Sequence, residues 1–465
     1  MSLFNQISSA DLETSYSARA LRKIFWKYPW GNTPLLYLLS LMDKNETDKP
    51  KFDWYEGRQQ PVASTTITSG AIAAGGDGPF ANAGNTASEA AAGFTWTADT
   101  VYNLYVTSNT RFRVDDVIWL RRVPNAAASA YLELKGIVTE VVSGSTTRLK
   151  VMALVSVASV SNDTDANAID VVLIGKAAPE GDTSRSGGLE LPIEPENYTQ
   201  IFREAFDSTG TALKAGMEWD ETGHYKTMAR QNMFRICEAM EGALYFGVRK
   251  VDSVINQRGK TVPRRFTGGL LWFLEQWEKG NTGNGGAFDY RPGGIDLTSV
   301  NWETNNDKRI IKINGSMTIE QFEIIMERAF MDQLPGASEK LMQCGNGFMS
   351  IFQKYCKAMS ITTRNLQTKE DSYGMAITRW TSPWGELVLK THPMWNRSQH
   401  NQSAFIVDVP CLAWRDLSDR ELTLLAKRQL PDEDCRRDEW LGEGGLECKF
   451  PENHLYVEGV TSLTY

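Results

Sequence analysis

Between residues 95 and 177 the chain turns β-rich. Five short runs, "VYNLYVT", "DDVIWLRRV", "LELKGIVTEVV", "TTRLKVMALVSV" and "AIDVVLIG", carry Val, Ile, Leu and Tyr. Turn residues such as Ser143-Gly144-Ser145 separate them. Runs of this length and spacing predict a small β-barrel or sandwich. The flanks cannot build a core of their own. Residues 51–94 begin strand-like and dissolve into Ala, Gly, Ser and Thr, which reads as extended or flexible loop. Residues 178–209 are again polar and read as extended chain. A β-unit between two extended segments is the pattern of a domain inserted into a long hairpin.

The rest of the chain must then supply a separate core. Its clearest element is a helix across 218–250, where Met228/Ala229, Met233, Ile236/Cys237, Met240, Ala243/Leu244 and Gly247 recur at helical spacing. The methionine stripe reads as core. Asp220 and Glu221 stand near its start and Arg249 and Lys250 at its end, as the helix dipole favours. At 1.5 Å per residue, about 25 residues span nearly 40 Å. "TIEQFEIIMERAF" is an amphipathic helix with a capping box at Thr318 and Gln321. "GNGFMSIFQKYCKAM" reads as another, and "LSDRELTLLAKRQL" as a short one capped by Ser418. "RIIKING", "GMAITRWTS", "GELVLKTHP", "SAFIVDV" and "HLYVEGV" read as strands, so the fold class is α+β.

Two further stretches invite a functional reading. In the first fifty residues, "RALRKIFWKYPW" is a basic amphipathic helix that Pro29 ends. "NTPLLYLLSLMDK" follows, with Leu35, Leu36, Leu38, Leu39 and Leu41 needing cover, on a neighbouring subunit if not at home. "TVPRRFTGGLLWFLEQ" puts Arg264 and Arg265 beside a glycine pair. Pro263 and the arginines read as an exposed turn, and Gly268-Gly269 as a tight bend using positive φ. Leu270 onward starts a packed element.

The usual chemistry is missing. There is no phosphate loop, dinucleotide fingerprint, H-E-x-x-H or G-x-S-x-G. The Gly-rich stretch 280–286 has neither the lysine nor the preceding strand that a phosphate loop needs. Six cysteines form no C-x-x-C, and with four histidines no zinc spacing arises; Cys344 and Cys356 read as small buried hydrophobes. Glu218, Asp220 and Glu221 with His224 read as charge at a helix start rather than an acid–base group. The run Asp432, Glu433, Asp434, Asp438, Glu439 and Glu443 reads as a solvated face rather than a cation site. A net charge of −8 argues against a chain that coats nucleic acid. Neither a signal peptide nor an apolar stretch of about 20 residues is visible, so a reduced cytoplasmic setting is expected. The sequon at Asn197-Tyr198-Thr199 is then a chance match. No cofactor is expected.

The order of segments resembles the major capsid proteins of tailed bacteriophages. The pieces that carry the likeness are "NTPLLYLL", "KFDWYEGRQQP", "FRVDDVIWL", "ENYTQIFREAFDSTGTA", "EAMEGALYFGVRK" and "RRFTGGLLWFLE". The C-terminal "SYGMAITRWTSPWGELVLKTHPMW" and the stretch from "LTLLAKRQLPDEDC" onward match more loosely. The resemblance implies the Johnson fold, in the branch whose extended loop carries an inserted β-domain. It divides the chain into an N-terminal arm (1–50), an extended loop (51–94 and 178–209) and an inserted β-domain (95–177). Residues 210–465 then form a peripheral domain with the spine helix (about 218–250) and an axial domain. It implies a non-enzymatic subunit that self-assembles through hexamers and pentamers into an icosahedral or prolate head. Implied partners are scaffolding, portal and decoration proteins, with packaged double-stranded DNA at the inner surface and no membrane. Arg19, Arg22 and Lys23 in the arm, Trp54 at the start of the loop, and Arg264 and Arg265 after the spine are expected at subunit contacts. Assembly would occur in the host bacterial cytoplasm. A tail-tube or decoration protein is the rival reading, and an enzyme using Glu218 or Asp220 on carbohydrate a third.

Overall fold

The chain leaves its main body at Glu56 and re-enters it at Pro192. Backbone pairs close that junction: Glu56 and Ile193 exchange N–H···O bonds of 2.9 and 3.0 Å, and Trp54 N–H donates to Pro195 O. The computed structural model describes residues 6–7, 35, 39, 45–57, 64–66, 94–106, 109, 112–125, 131–142, 147–160, 169–180, 192–214, 224–256, 258–280, 288, 290, 296–303, 305–332, 339–358, 366–370, 376–397 and 399–464. Two units result, Gly57–Leu191 and Met1–Glu56 with Pro192–Tyr465.

In the inserted unit an antiparallel sheet runs in the order Ser64–Thr66, Asp170–Lys176, Asp116–Pro124, Tyr131–Val142, Arg148–Ala153, Val101–Tyr105. A short ladder of Phe94–Trp96 and Val157–Val160 shares its core. Alternate residues point inward, so Leu134 and Val138 on one strand meet Leu149 and Val151 on the next. Trp96 stacks on Tyr102 at 4.2 Å. Among the described residues the sheet stays open rather than closing into a barrel.

Among the described residues the main unit has two large sheets and two short two-stranded ladders. One runs Gln6–Ile7, Gln200–Thr209, Cys435–Cys448, Leu412–Leu417, Asn45–Thr47, with Thr423–Leu425 also on Cys435–Cys448. Residues 200–209, read from their polarity as the end of an extended loop, are a strand paired along its length. The alternation explains it: Phe202 and Phe206 are buried on one side, and Phe202 packs on Ile236 and Met240 of the long helix. The second sheet runs Ile310–Thr318, Leu455–Thr464, Ala404–Val407, Glu339–Cys344, Glu386–Thr391, Ala376–Thr381, Leu366–Glu370. Helices Ile319–Ala329 and Asn346–Ala358 cover it, with Phe322, Phe348, Phe352 and Trp380 in the shared core. Both halves of the capping box at Thr318 and Gln321 form.

The long helix is His224–Phe246. Its buried side is a stripe recurring every four residues, His224, Met228, Asn232, Ile236, Met240 and Leu244, joined near its end by Glu241 and Tyr245. Met233 falls off that stripe and is 42 % exposed, against the expectation that it is core. The helix expected over "LSDRELTLLAKRQL" does not form. Asp419 takes φ 62°, a left-handed value that stops a helix, and Thr423–Leu425 becomes a strand on Leu441–Glu439. Leu35 and Leu39 are buried in the chain's own core, so these two leucines find cover at home.

Candidate assembly surface beside the long helix

Where the long helix ends, the backbone passes very close to itself. Gly269 N–H donates to Gly247 O at 2.8 Å. A Cβ on Gly269 would meet Ala243 O and Gly247 N at 2.6 Å each. Gly269 has φ −93° and ψ 178°, ordinary extended backbone. The glycine pair is therefore set by space and not by the positive φ expected of a tight bend. Directly after it, Leu270–Lys279 forms a helix that buries Leu270, Trp272, Phe273 and Leu274.

Between Gly247 and Gly269 lies an excursion. Lys250–Ile255 and Thr261–Phe266 pair as an antiparallel hairpin, which makes Pro263, Arg264 and Arg265 strand residues rather than a turn. Cross-strand pairing supplies the order that local sequence lacks. Arg264 donates to Asp252 at 2.9 Å, across the ladder, and this guanidinium holds the Asp252 carboxyl below its usual range. The base is held from several sides. Arg249 pairs with Glu196, which also takes Lys51, and its guanidinium lies 4.8 Å from the Tyr198 ring. Asn197 is fully buried; its amide donates to Thr267, Gly268 and Leu446, and its oxygen accepts from Gly268 N–H at 2.8 Å. That bonding also closes Asn197 to glycan attachment.

The two faces of the hairpin border open clefts. Val251, Pro263 and Arg265 line one of about 590 Å³ with Lys49, Lys51 and Glu194. Lys250, Asp252, Arg264 and Phe266 line another of about 460 Å³ with Gln200 and Phe246. Of the residues expected at subunit contacts, the structure thus brings Arg264 and Arg265 together on one projecting element. Trp54 does not join them. It is 5 % exposed, its ring lies 5.8 Å from Phe273, and its Nε1–H donates to Glu56 at 2.8 Å, so the ring serves the chain's own core. Arg19, Arg22 and Lys23 lie outside the described residues, as do Glu218, Asp220, Glu221 and the stretch 281–286.

Tests for catalytic chemistry come out as packing. Ser208 Oγ and His224 Nε2 lie 2.6 Å apart, but both are buried and burial holds the imidazole below its usual pKa. No group orients the ring from its other nitrogen among the described contacts. Of the acidic run, Asp432, Glu433 and Asp434 are exposed, whereas Asp438, Glu439 and Glu443 are buried and bound by Arg436, Arg203 and Arg420. The expected solvated face is thus half an ion-paired sheet, and no metal-binding cluster occurs among the described residues. Cys344 and Cys356 are buried, with thiols pushed up to about 12 and about 11.

Two buried polar groups escaped the sequence. Glu241, on the long helix, accepts from Leu35 N–H at 3.0 Å and faces His392 Nε2 at 2.9 Å. Lys340, on the Glu339–Cys344 strand of the second sheet, donates to Asp332 O and Asn453 O, with desolvation pushing it down to about 8. Their partners stand up to 206 residues away, so no local pattern marks them.

A family model described as SU10 major capsid protein matches residues 6–461. The major capsid protein of Pseudomonas phage PaMx41 is 25 % identical over 252 residues, 53 % of this chain and 52 % of that protein. The chain thus spans about half the length of that curated relative. Among solved structures, Mycobacterium phage Patience aligns with TM-score 0.37 and 8 % identity over 62 % of this chain and 76 % of its own. The cyanophage A-1(L) capsid asymmetric unit aligns with TM-score 0.36 and 10 % identity over 61 % and 85 %. With its sequence matched from the first strand to the last, the chain belongs to the SU10 major capsid protein family.

Proposed function

We propose that this chain is the shell subunit of a phage head, assembling with itself through hexamers and pentamers around double-stranded DNA. The family match over residues 6–461 carries the reading. The order of elements supports it: an arm, a loop interrupted by a β-unit, a long helix as spine, then the peripheral and axial regions. The protein works by tiling. Each copy presents the same projecting elements to its neighbours, and closed symmetry follows from repetition of one contact. Scaffolding, portal and decoration proteins are its expected partners, assembly takes place in the host cytoplasm, and the product is the virion.

In this reading no side chain performs a reaction. Glu218 and Asp220 have no catalytic duty, and Glu218→Gln leaves the protein's behaviour unchanged. Electron microscopy of the expressed chain, alone or with its scaffolding partner, should show shells or capsomer rings. Helical tubes without closed shells would move the reading to a tail tube. A strict monomer under all these conditions would remove it.

A further inference from the structure

Among the described residues the Lys250–Phe266 hairpin contributes to no core of its own chain. It joins neither large sheet, and none of its described residues is buried. A two-stranded hairpin alone is marginal in water. Yet this one is firmly held at its base, by Gly269 N–H on Gly247 O and by Arg249 on Glu196. Its turn is ordered as well: Asn256 N–H donates to Lys260 O at 2.9 Å, and Gly259 supplies φ +74°. Fixing an element whose side chains are exposed or only half-buried costs ordering entropy without core burial in return.

What it exposes identifies the partner. Ile255 is 69 % exposed and Val251 43 %, on the same face, and Val248 just before the hairpin is 59 % exposed. Lys250, Arg258, Lys260, Arg264 and Arg265 oppose one acid, Asp252, giving +4 in a chain of net −8. Arg258 and Lys260 at the tip are exposed and form no ion pair among the described residues. A cationic, partly aliphatic blade on an acidic protein fits the surface of another copy of that protein: opposite charge steers the encounter and apolar contact holds it. DNA would engage the cations but leave Ile255 and Val251 wet.

We propose that this hairpin is a subunit contact, docking by its basic tip and its Val251–Ile255 face onto an acidic surface of a second copy of this chain. The proposal rests on the shell-subunit reading, and the following test separates the two. Particles assembled from a mixture of light and ¹⁵N-labelled chains are treated with a carbodiimide, which joins lysine to a contacting carboxylate with loss of water. Peptides linking Lys260 or Lys250 of one isotope to Asp or Glu of the other are expected. In parallel, Arg258→Glu with Lys260→Glu should lower particle yield roughly tenfold, as loss of complementary charge at a repeated contact implies. Ile255→Asn should lower it too. Both variants should keep the wild-type Tm as soluble subunits, since these side chains are mostly exposed.

Wild-type particles joined at these lysines only within one chain would overturn the contact, as would charge-reversed protein that assembles like wild type. Variant shells that form normally but lose DNA would overturn it in favour of a nucleic-acid contact. If wild-type protein never assembles, the shell reading falls and this proposal with it.

Discussion

Glu241 shows what one buried carboxyl can organise. Its side chain is fully buried, on the long helix His224–Phe246, and it accepts from Leu35 N–H and meets His392. Removing it leaves two buried donors without an acceptor. Glu241→Ala should therefore cost roughly 3 kcal/mol, read as a lower denaturation midpoint of the soluble protein. Glu241→Gln keeps an acceptor oxygen and should recover more than half of the loss. His454 makes a second prediction. It is fully buried, Asp408 N–H donates to its Nδ1, and desolvation, then the Lys340 charge, push it down from 6.5 to about 3. The unfolded chain binds that proton first on acidification. His454's contribution to stability is thus complete above about 6.5 and lost as pH falls toward 3. Tm measured against pH should fall less steeply across that window in His454→Gln than in wild type; parallel curves would sink the claim.

At the scale of elements, the end of the long helix rests on absence of side chain. Gly247 and Gly269 let the helix end and the next helix start share one narrow crossing, where a Cβ on Gly269 meets backbone at 2.6 Å. Backbone cannot turn aside as a side-chain tip can. Gly269→Ala should destabilise by at least about 2 kcal/mol, although its φ suits alanine. Gly57→Ala, with nothing within 4 Å of its Cβ, should stay within about 0.5 kcal/mol of wild type. Thermal melts of the two variants side by side make the comparison. The glycine pair was visible in "TVPRRFTGGLLWFLEQ", but its reason was not, because the atoms it makes room for lie a full hairpin earlier. The same holds for Arg264 and Arg265: Arg264 is exposed as read and Arg265 is half-buried, and their place in a strand depends on pairing with Asp252 and Val251.

For the whole molecule, the two units should be separable. The strands flanking the insertion pair with each other at Glu56 and Ile193, so the main unit's junction is closed without residues 57–191. Replacing that segment by a short Gly-Ser linker should leave a chain that still unfolds cooperatively. The excised segment, with its own core around Trp96, Leu120 and Val151, should keep a β-type circular dichroism spectrum. Loss of cooperative unfolding in the shortened chain would refute the first half. The sequence alone determined a good deal here. Apolar periodicity is local, so the β-rich middle, the long helix, the Thr318 capping box and some of the late strands could be read from it, while Glu339–Cys344 and Cys435–Cys448 were not. The ordered pieces were enough to suggest a capsid subunit. Only the tertiary structure decided what depends on distant partners. It made residues 200–209 a strand, turned "LSDRELTLLAKRQL" away from helix, and drew Trp54 into the core. It also set Glu241 against Leu35 and placed a cationic hairpin outside both large sheets. Each of these is fixed by contacts between residues far apart in the chain, where packing and pairing outweigh local preference.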